Sequence, residues 1–313
     1  MQLRYDEDFI EAAAFLCTSG RRKGVPALQI ARFHREREKL YAILDPDQRN
    51  TAFFKLHLDW FREWGLEKLL TDLLQEFPLL PEKLNVLAVR TTRGKNDEGA
   101  ELYVNETGQR SAILALRPES FARDAALREY VRHEFTHLSD MLNPDFGYAP
   151  TLDLSGLNGA QHRLARERYR LLWDITIDGR LAAAGHTPMA AREQHATAFA
   201  RGYSFWPEER QIETFAQLWG NAAPRHAEFL ALIADPRGLR EAHRPAPGAS
   251  CPLCEFPTFT WADADALLPH ISARVVSEFP GWTAEQGLCG RCLETYQAAA
   301  SLAESGGGDR GCD

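Results

Sequence analysis

The sequence predicts an α+β protein, in which a mainly helical domain carries a small β-sheet and a small cysteine-containing module follows. Amphipathic runs with helical periodicity fill most of residues 1–242, and three short β-type runs lie within residues 84–117. Two Cys-x-x-Cys pairs come later in the chain. We therefore expect a first domain at 1–242, a second at 243–300 and a disordered tail at 301–313.

Composition limits the classes of function. The chain has 313 residues, 44% of them hydrophobic, which is enough for a substantial core. With 36 basic and 44 acidic residues, the net charge of −8 provides no overall field that would attract nucleic acid or anionic lipid. No apolar run reaches the roughly 20 residues that span a bilayer, and the start of the chain is acidic rather than signal-like. We expect a cytoplasmic protein without a membrane partner.

The N-terminal part, residues 1–80, is predicted to be helical. Helical runs cover residues 5–19, 26–44 and 48–76, and Pro46 ends the second of them. The third run is dense in aromatic residues, which is typical of packing. His57 lies in this run and is expected to be a packed or surface histidine rather than a metal ligand.

A small sheet is predicted at residues 84–117. The runs 85–90, 101–104 and 111–116 have β character, and glycine-containing turns at Gly94, Gly99 and Gly108 separate them.

The helix predicted at residues 121–142 contains His-Glu-x-x-His. At about 100° per residue, His133 and His137 lie on one face, so both imidazoles can reach one Zn²⁺. Glu134 lies beside them, where a carboxylate can take a proton from a water molecule on the metal. Asp140 shares this face, but three ligands along one straight helix do not converge tetrahedrally. We expect Asp140 to be a supporting or loop-capping acid.

A catalytic zinc site takes three protein ligands and keeps one position open. The helix predicted at 159–184 offers Asp178 on its apolar side, where a carboxylate needs a cation or several hydrogen bonds. Asp174 lies one turn earlier on the same flank. Asp178 is our first choice for the third ligand and Asp174 the second, the other acid accepting a hydrogen bond from a ligand histidine. His162 is the fallback, and the sequence leaves these alternatives open.

The order of strand 111–116, a proline-containing loop and the His-Glu-x-x-His helix resembles the zincin metallopeptidases. In gluzincins and aspzincins the third ligand is an acid from a later helix, which the Asp174 and Asp178 pair resembles. SprT-like zincins instead use a third histidine and carry a C-terminal zinc ribbon. Metzincins would need Gly at 140 and His at 143, whereas this chain has Asp140 and Asn143, so we exclude that type.

The resemblance covers residues 110–180 and the cysteine pairs. It implies a zincin-like fold, a sheet above the active-site helix whose edge strand pairs with an extended substrate, and peptide-bond hydrolysis. Tyr169, Tyr203 and His195 are candidate donors to the scissile carbonyl, and the sequence does not choose between them.

The second module is predicted to hold a structural zinc ion. Cys251, Cys254, Cys289 and Cys292 supply four thiolates, the number that closes a structural zinc site. The intervening segment is expected to contain a helix at about 263–277, and the helix that opens at Cys292 resembles a treble clef more than a plain ribbon. Cys17 and Cys312 are left without a disulfide role.

Two functions follow from these patterns. The first is a zinc metallopeptidase that acts on a peptide or protein substrate, with one catalytic and one structural Zn²⁺ and Glu134 as general base. The alternative is a non-catalytic, metal-stabilised binding or regulatory protein that uses the four-cysteine module to contact a protein or nucleic acid. The presence of Glu134 favours catalysis, because a structural site does not require it.

Overall fold

The computed structural model describes residues 1–92, 94, 97–152, 154, 159–234, 248–262, 267–283 and 286–305. The chain divides into two compact units, Met1–Ala234 and Asp235–Asp313. The first unit is mainly helical with one small sheet, and the second contains the four-cysteine cluster, which confirms the α+β class. The predicted boundary after residue 242 falls in a stretch, 235–247, that lies outside the described residues.

Ten helices are described in the first unit. They are α1 (Glu7–Thr18), α2 (Ala27–Leu40), α3 (Pro46–Glu63), α4 (Leu66–Leu74), α5 (Leu79–Lys83), α6 (Asp124–Leu142), α7 (Gly159–Ala183), α8 (Arg192–Gly202), α9 (Glu208–Trp219) and α10 (His226–Ala234). A short 3-10 helix, Pro118–Ala122, precedes α6. The run predicted as one helix over 48–76 is two, because Gly65 turns the chain in the left-handed region at φ 73°.

The sheet has four strands in the order β1-β2-β4-β3. The strands are β1 (Gln2–Tyr5), β2 (Val86–Thr91), β3 (Gly99–Val104) and β4 (Arg110–Leu116). β1 and β4 run parallel to β2, whereas the edge strand β3 is antiparallel to β4. Three strands match the predicted runs, and β1 was missed because four residues are too short to show a clear alternation.

Two hydrophobic cores hold the first unit together. One face of the sheet packs with α1, α3, α4 and α6, and the buried core includes Leu114 and Phe135. A second core joins α7 to α10 around Trp173 and Phe229. Met141 of α6 packs against both cores, so α6 is the element that links them. The side chains near the C-terminal half of α6 are therefore firmly positioned.

The second unit has a core of its own. It contains α11 (Pro269–Glu278) and α12 (Gly290–Ser305), and its buried residues include Ile271, Trp282 and Leu288. The indole of Trp282 donates to the carbonyl of Gly287 over 2.9 Å. α12 continues to Ser305, so residues 301–305 are helical rather than part of the predicted disordered tail, and 306–313 lie outside the described residues.

Among the described helices, none is both long enough and apolar enough to cross a membrane.

Candidate metal centre and active site

Helix α6 places His133, Glu134 and His137 next to α7. All three side chains are buried, and the two imidazole rings lie 5.0 Å apart. The first half of α6 carries Leu127 and Val131 into the core, and this fixes the helix rotation that turns the histidines towards α7.

Asp174 completes a group of three potential metal ligands. Its Oδ1 lies 3.0 Å from His137 Nε2 and 3.6 Å from His133 Nε2. One ligand atom from each of the three residues lies within 4.8 Å of the others. Two imidazole nitrogens and one carboxylate oxygen thus converge on a common point, and these side chains could hold a metal ion.

Asp178 lies one turn further along α7 and contacts the other nitrogen of His133. Its Oδ1 is 2.9 Å from His133 Nδ1, and its Oδ2 is 2.7 Å from His195 Nε2. The backbone N–H groups of Met189 and Ala190 donate to the same carboxylate over 3.0 and 2.9 Å. The side chain is 0% exposed, so these donors compensate a fully buried charge.

The geometry therefore differs from our sequence preference for the third ligand. Because a carboxylate only accepts hydrogen bonds, the bond to Asp178 places a proton on His133 Nδ1, so Nε2 is the nitrogen whose lone pair a metal ion would use. Nε2 is the atom that faces Asp174. Asp174 is thus the acid that lies with Nε2 of the two histidines, and Asp178 orients His133 from the other side of its ring.

The buried acids and histidines of this cluster shift one another's pKa. Burial lowers the pKa of His133, but hydrogen bonds to Asp174 and Asp178 outweigh it and raise that pKa to about 10. Burial raises the pKa of both acids, yet their hydrogen bonds to the histidines lower it well below the ordinary 3.8. Two ionised carboxylates beside two imidazoles are compensated by a proton on a ring or by a metal ion.

Glu134 turns its carboxylate to the edge strand. Its Oε2 accepts a hydrogen bond of 2.8 Å from the backbone N–H of Ala100, near the start of β3. Glu134 is 7% exposed, and its carboxylate lies at the junction between α6 and the sheet edge. The sequence predicted Glu134 beside the histidines but gave no sign of its contact with Ala100.

Asp140 anchors Trp173 beside His137. It accepts a hydrogen bond of 2.7 Å from Trp173 Nε1 and two from Arg180, of 2.8 and 2.6 Å. The Trp173 ring in turn lies 4.5 Å from that of His137, in an edge-to-face arrangement. Asp140 is therefore occupied as an anchor for Trp173 and is not one of the three converging ligands.

The other candidates from the sequence are spread around the site. Tyr169 forms a hydrogen bond of 2.6 Å with His226 Nδ1 and lines a cavity beside His137. His162 lines the same cavity without joining the ligand group. Tyr203 is fully buried and lines neither cavity at the site, and His195 is bound to Asp178. The pairing of His195 with Asp178 is another contact that sequence reasoning missed, since the two residues lie on different helices.

Two cavities adjoin the three candidate ligands, His133, His137 and Asp174. The smaller, of about 410 Å³, is lined by His133 and Asp174, and the larger, of about 850 Å³, by His137 and the start of β3. Both are lined by Glu98, Glu134 and Arg170. The three candidate ligands therefore lie between two cavities that share one boundary.

The second unit carries the other potential metal site. Cys251 Sγ lies 3.9 Å from Cys292 Sγ, and Cys254 Sγ lies 3.8 Å from Cys289 Sγ, with all four sulfurs within 4.8 Å of one another. The backbone N–H of Cys289 points to Cys251 Sγ over 3.4 Å. Burial raises the pKa of Cys251, but backbone N–H groups outweigh it and lower that pKa to about 7. The four cysteines thus form a closed group that could bind a metal ion. Cys17 is buried and free, and Cys312 lies outside the described residues.

Comparisons with protein-family models, with curated proteins and with solved structures gave no match.

Proposed function

We propose that the first unit is a zincin-like metallopeptidase that hydrolyses peptide bonds with water. Two imidazoles and one carboxylate with an open position are the ligand set of many catalytic zinc sites, and His133, His137 and Asp174 supply it. Zn²⁺ held there would supply a Lewis acid that lowers the pKa of a water molecule and polarises the scissile carbonyl.

Glu134 would act as the general base and then as the general acid. It would take a proton from the attacking water and return it to the leaving nitrogen as the C–N bond breaks. The hydrogen bond from Ala100 holds the carboxylate of Glu134, which lines both cavities beside the candidate ligands.

The edge of β3 supports binding of an extended peptide. Because β3 pairs with β4 on one side only, and Ala100 N–H points to Glu134, the backbone groups of Ala100 and Leu102 face away from β4. Since the Ala100 N–H already donates to Glu134, a peptide that adds as a further strand would pair with Leu102, with its scissile bond near Glu134.

Asp178 and His195 would position His133. The bond from His133 Nδ1 fixes the tautomer and the ring orientation, and His195 together with two backbone N–H groups fixes Asp178. Neither residue needs to touch the substrate.

The observation that carries this proposal is the convergence of three ligand atoms within 4.8 Å beside Glu134. The test is digestion of casein or a peptide library by zinc-loaded wild type and Glu134→Gln. We expect cleavage by wild type and a loss of at least about a hundredfold in the variant, the typical contribution of a general base, at unchanged zinc content. Equal activity in both proteins, or none in either, would favour the binding or regulatory protein instead.

A further inference from the structure

Helix α7 carries a stripe of cleft residues beyond the metal ligand. His162, Arg166, Arg170 and Asp174 follow one another at intervals of four residues and therefore share one face of the helix. All four line the two cavities, and Arg170 lines both. The face of α7 that carries the candidate ligand Asp174 therefore continues as a row of basic side chains that line the cavities.

Neither arginine of this stripe is strongly paired. Arg166 has no hydrogen bond or ion pair within the described part of the chain. Arg170 Nε lies 3.9 Å from Asp174 Oδ2, at the limit of an ion pair, and its side chain is 71% exposed. By contrast, Arg180 makes two hydrogen bonds to Asp140. The stripe therefore offers two guanidinium groups to whatever occupies the cleft.

The strand wall of the larger cavity has the opposite charge. Asp97, Glu98 and Glu101 line it, with Glu98 paired to Arg117 at 3.1 Å and Glu101 bonded to the hydroxyl of Tyr103. Of the arginines that line the larger cavity, Arg166 and Arg170 lie on α7, and Arg90 of β2 is the one that lies among the three acids of the strand wall. The larger cavity is therefore mainly acidic on the strand side and basic on the α7 side.

The spacing of the two arginines along α7 determines which substrate positions they can contact. Arg170 and Arg166 lie about 6 and 12 Å along the axis from Asp174, at 1.5 Å per residue. An extended peptide advances about 3.3 Å per residue. For a peptide that runs along the axis of α7, the two arginines therefore face side chains about two and four residues from the bond that lies beside Asp174.

We propose that Arg166 and Arg170 select peptides with Asp or Glu two to four residues from the scissile bond, on the side of the larger cavity. The proposal rests on the peptidase function proposed above. Guanidinium groups fit carboxylates through paired N–H donors, which gives a geometric as well as a charge preference.

The experiment uses the zinc-loaded full chain and quenched fluorescent peptides that differ only by Glu or Gln at each of the four positions on either side of the cleaved bond. We expect wild type to prefer Glu over Gln by about fivefold in kcat/KM at one or two positions on one side, as for partly exposed charge pairs. Arg166→Gln and Arg170→Gln should each lower the ratio, and the double variant should abolish it. Arg166→Glu should favour Lys at the position where wild type favours Glu.

Arg163→Gln is the matched control. Arg163 lies on the same helix, is exposed and lines neither cavity, so its loss should leave the Glu-to-Gln ratio unchanged. Equal turnover of Glu and Gln peptides by wild type, or a preference that survives in the double variant, would overturn the inference and leave the peptidase function intact.

A second readout separates the two proposals if no peptide is cleaved. Fluorescence anisotropy then measures binding of the same labelled peptides to Glu134→Gln and to Glu134→Gln with both arginines replaced by glutamine. Tighter binding of the Glu peptides, lost in the triple variant, would support recognition by the arginines although the peptidase function has failed. Equal binding of Glu and Gln peptides would overturn the inference as well.

Discussion

Asp174 and Asp178 are the same type of residue one helical turn apart, yet they contact opposite nitrogens of His133. Asp174 faces Nε2 of both histidines, while Asp178 accepts from Nδ1 of His133 and from His195. A shift of about 6 Å along α7 separates the candidate ligand Asp174 from Asp178, which orients His133.

The first prediction compares Asp174→Asn with Asp178→Asn. Loss of Asp178 should weaken zinc binding about 10–100-fold, as expected for a partner that orients a ligand. Loss of Asp174 should weaken it more, because a ligand is removed. Competition with a chromophoric chelator measures both affinities, and the reverse order would restore Asp178 as the ligand.

The histidines could be predicted from the sequence because their relation is local. His133, Glu134 and His137 lie on one helix, whose periodicity fixes their relative directions. The choice between Asp174 and Asp178 depends on where α7 crosses α6, and their partner His195 comes from α8. Such contacts between helices leave no mark in a single sequence. The same limit applies to the hydrogen bond between Glu134 and Ala100.

At the scale of the elements, α7 is held by a close approach to α9. A Cβ on Gly179 would lie 2.1 Å from the backbone carbonyl oxygen of Trp219, so only glycine fits there. This position follows Asp178 directly, which couples the packing of the two helices to the candidate site.

The second prediction is that Gly179→Ala destabilises the protein by about 1–3 kcal/mol or more, because two backbones must move apart. Urea unfolding monitored by circular dichroism measures the change. Gly202→Ala is the control: a Cβ there would meet Leu171 Cδ2 at an ordinary 3.6 Å, and φ is not left-handed, so stability should be nearly unchanged. Similar urea midpoints for Gly179→Ala and Gly202→Ala would contradict the close contact between the backbones of α7 and α9 at Gly179.

Helix α3 packs His57 against aromatic neighbours. Its ring stacks on Phe33 at 5.9 Å and lies 6.1 Å from that of Phe53. Burial lowers the pKa of His57 from its ordinary value of 6.5.

The third prediction is a pH dependence of stability. Below pH 6.5 the unfolded chain binds a proton at His57 before the folded protein does, so the free energy of unfolding falls as the pH drops from 6.5 towards the folded pKa. His57→Phe keeps the aromatic packing and removes the proton site, so its stability should fall less between pH 7 and pH 5. Parallel curves for wild type and variant in urea titrations would contradict this.

The strands also show what the sequence could provide. Alternating apolar residues predicted β2, β3 and β4, whereas β1 is defined by its pairing with Val86 to Val89 rather than by its own pattern. The break between α3 and α4 was missed because glycine inside an apolar run does not by itself reveal a left-handed turn.

For the whole molecule, the two candidate metal sites belong to different compact units. His133, His137 and Asp174 lie in the first, and the four cysteines in the second. A site with three ligands and an open position should exchange its ion faster than a closed site of four thiolates.

The fourth prediction is therefore two zinc ions per chain with different lability. Brief treatment with chelator should remove one, and Cys254→Ser with Cys289→Ser should remove the other. Inductively coupled plasma mass spectrometry measures the zinc content. The double cysteine variant should keep the ion of the first unit, whereas His137→Ala should lose that ion and keep the one held by the cysteines. One ion or none in gently purified wild type would contradict two sites.

The position of the ion in the first unit distinguishes directly between Asp174 and Asp178 as the third ligand. A crystal of the zinc-loaded protein, measured on both sides of the zinc absorption edge, should show a peak about 2.0–2.2 Å from Nε2 of His133, Nε2 of His137 and an oxygen of Asp174. Glu134 should face the open position, and Asp178 should remain on Nδ1 of His133. A peak bound by Asp178, or no peak between the two histidines, would contradict it.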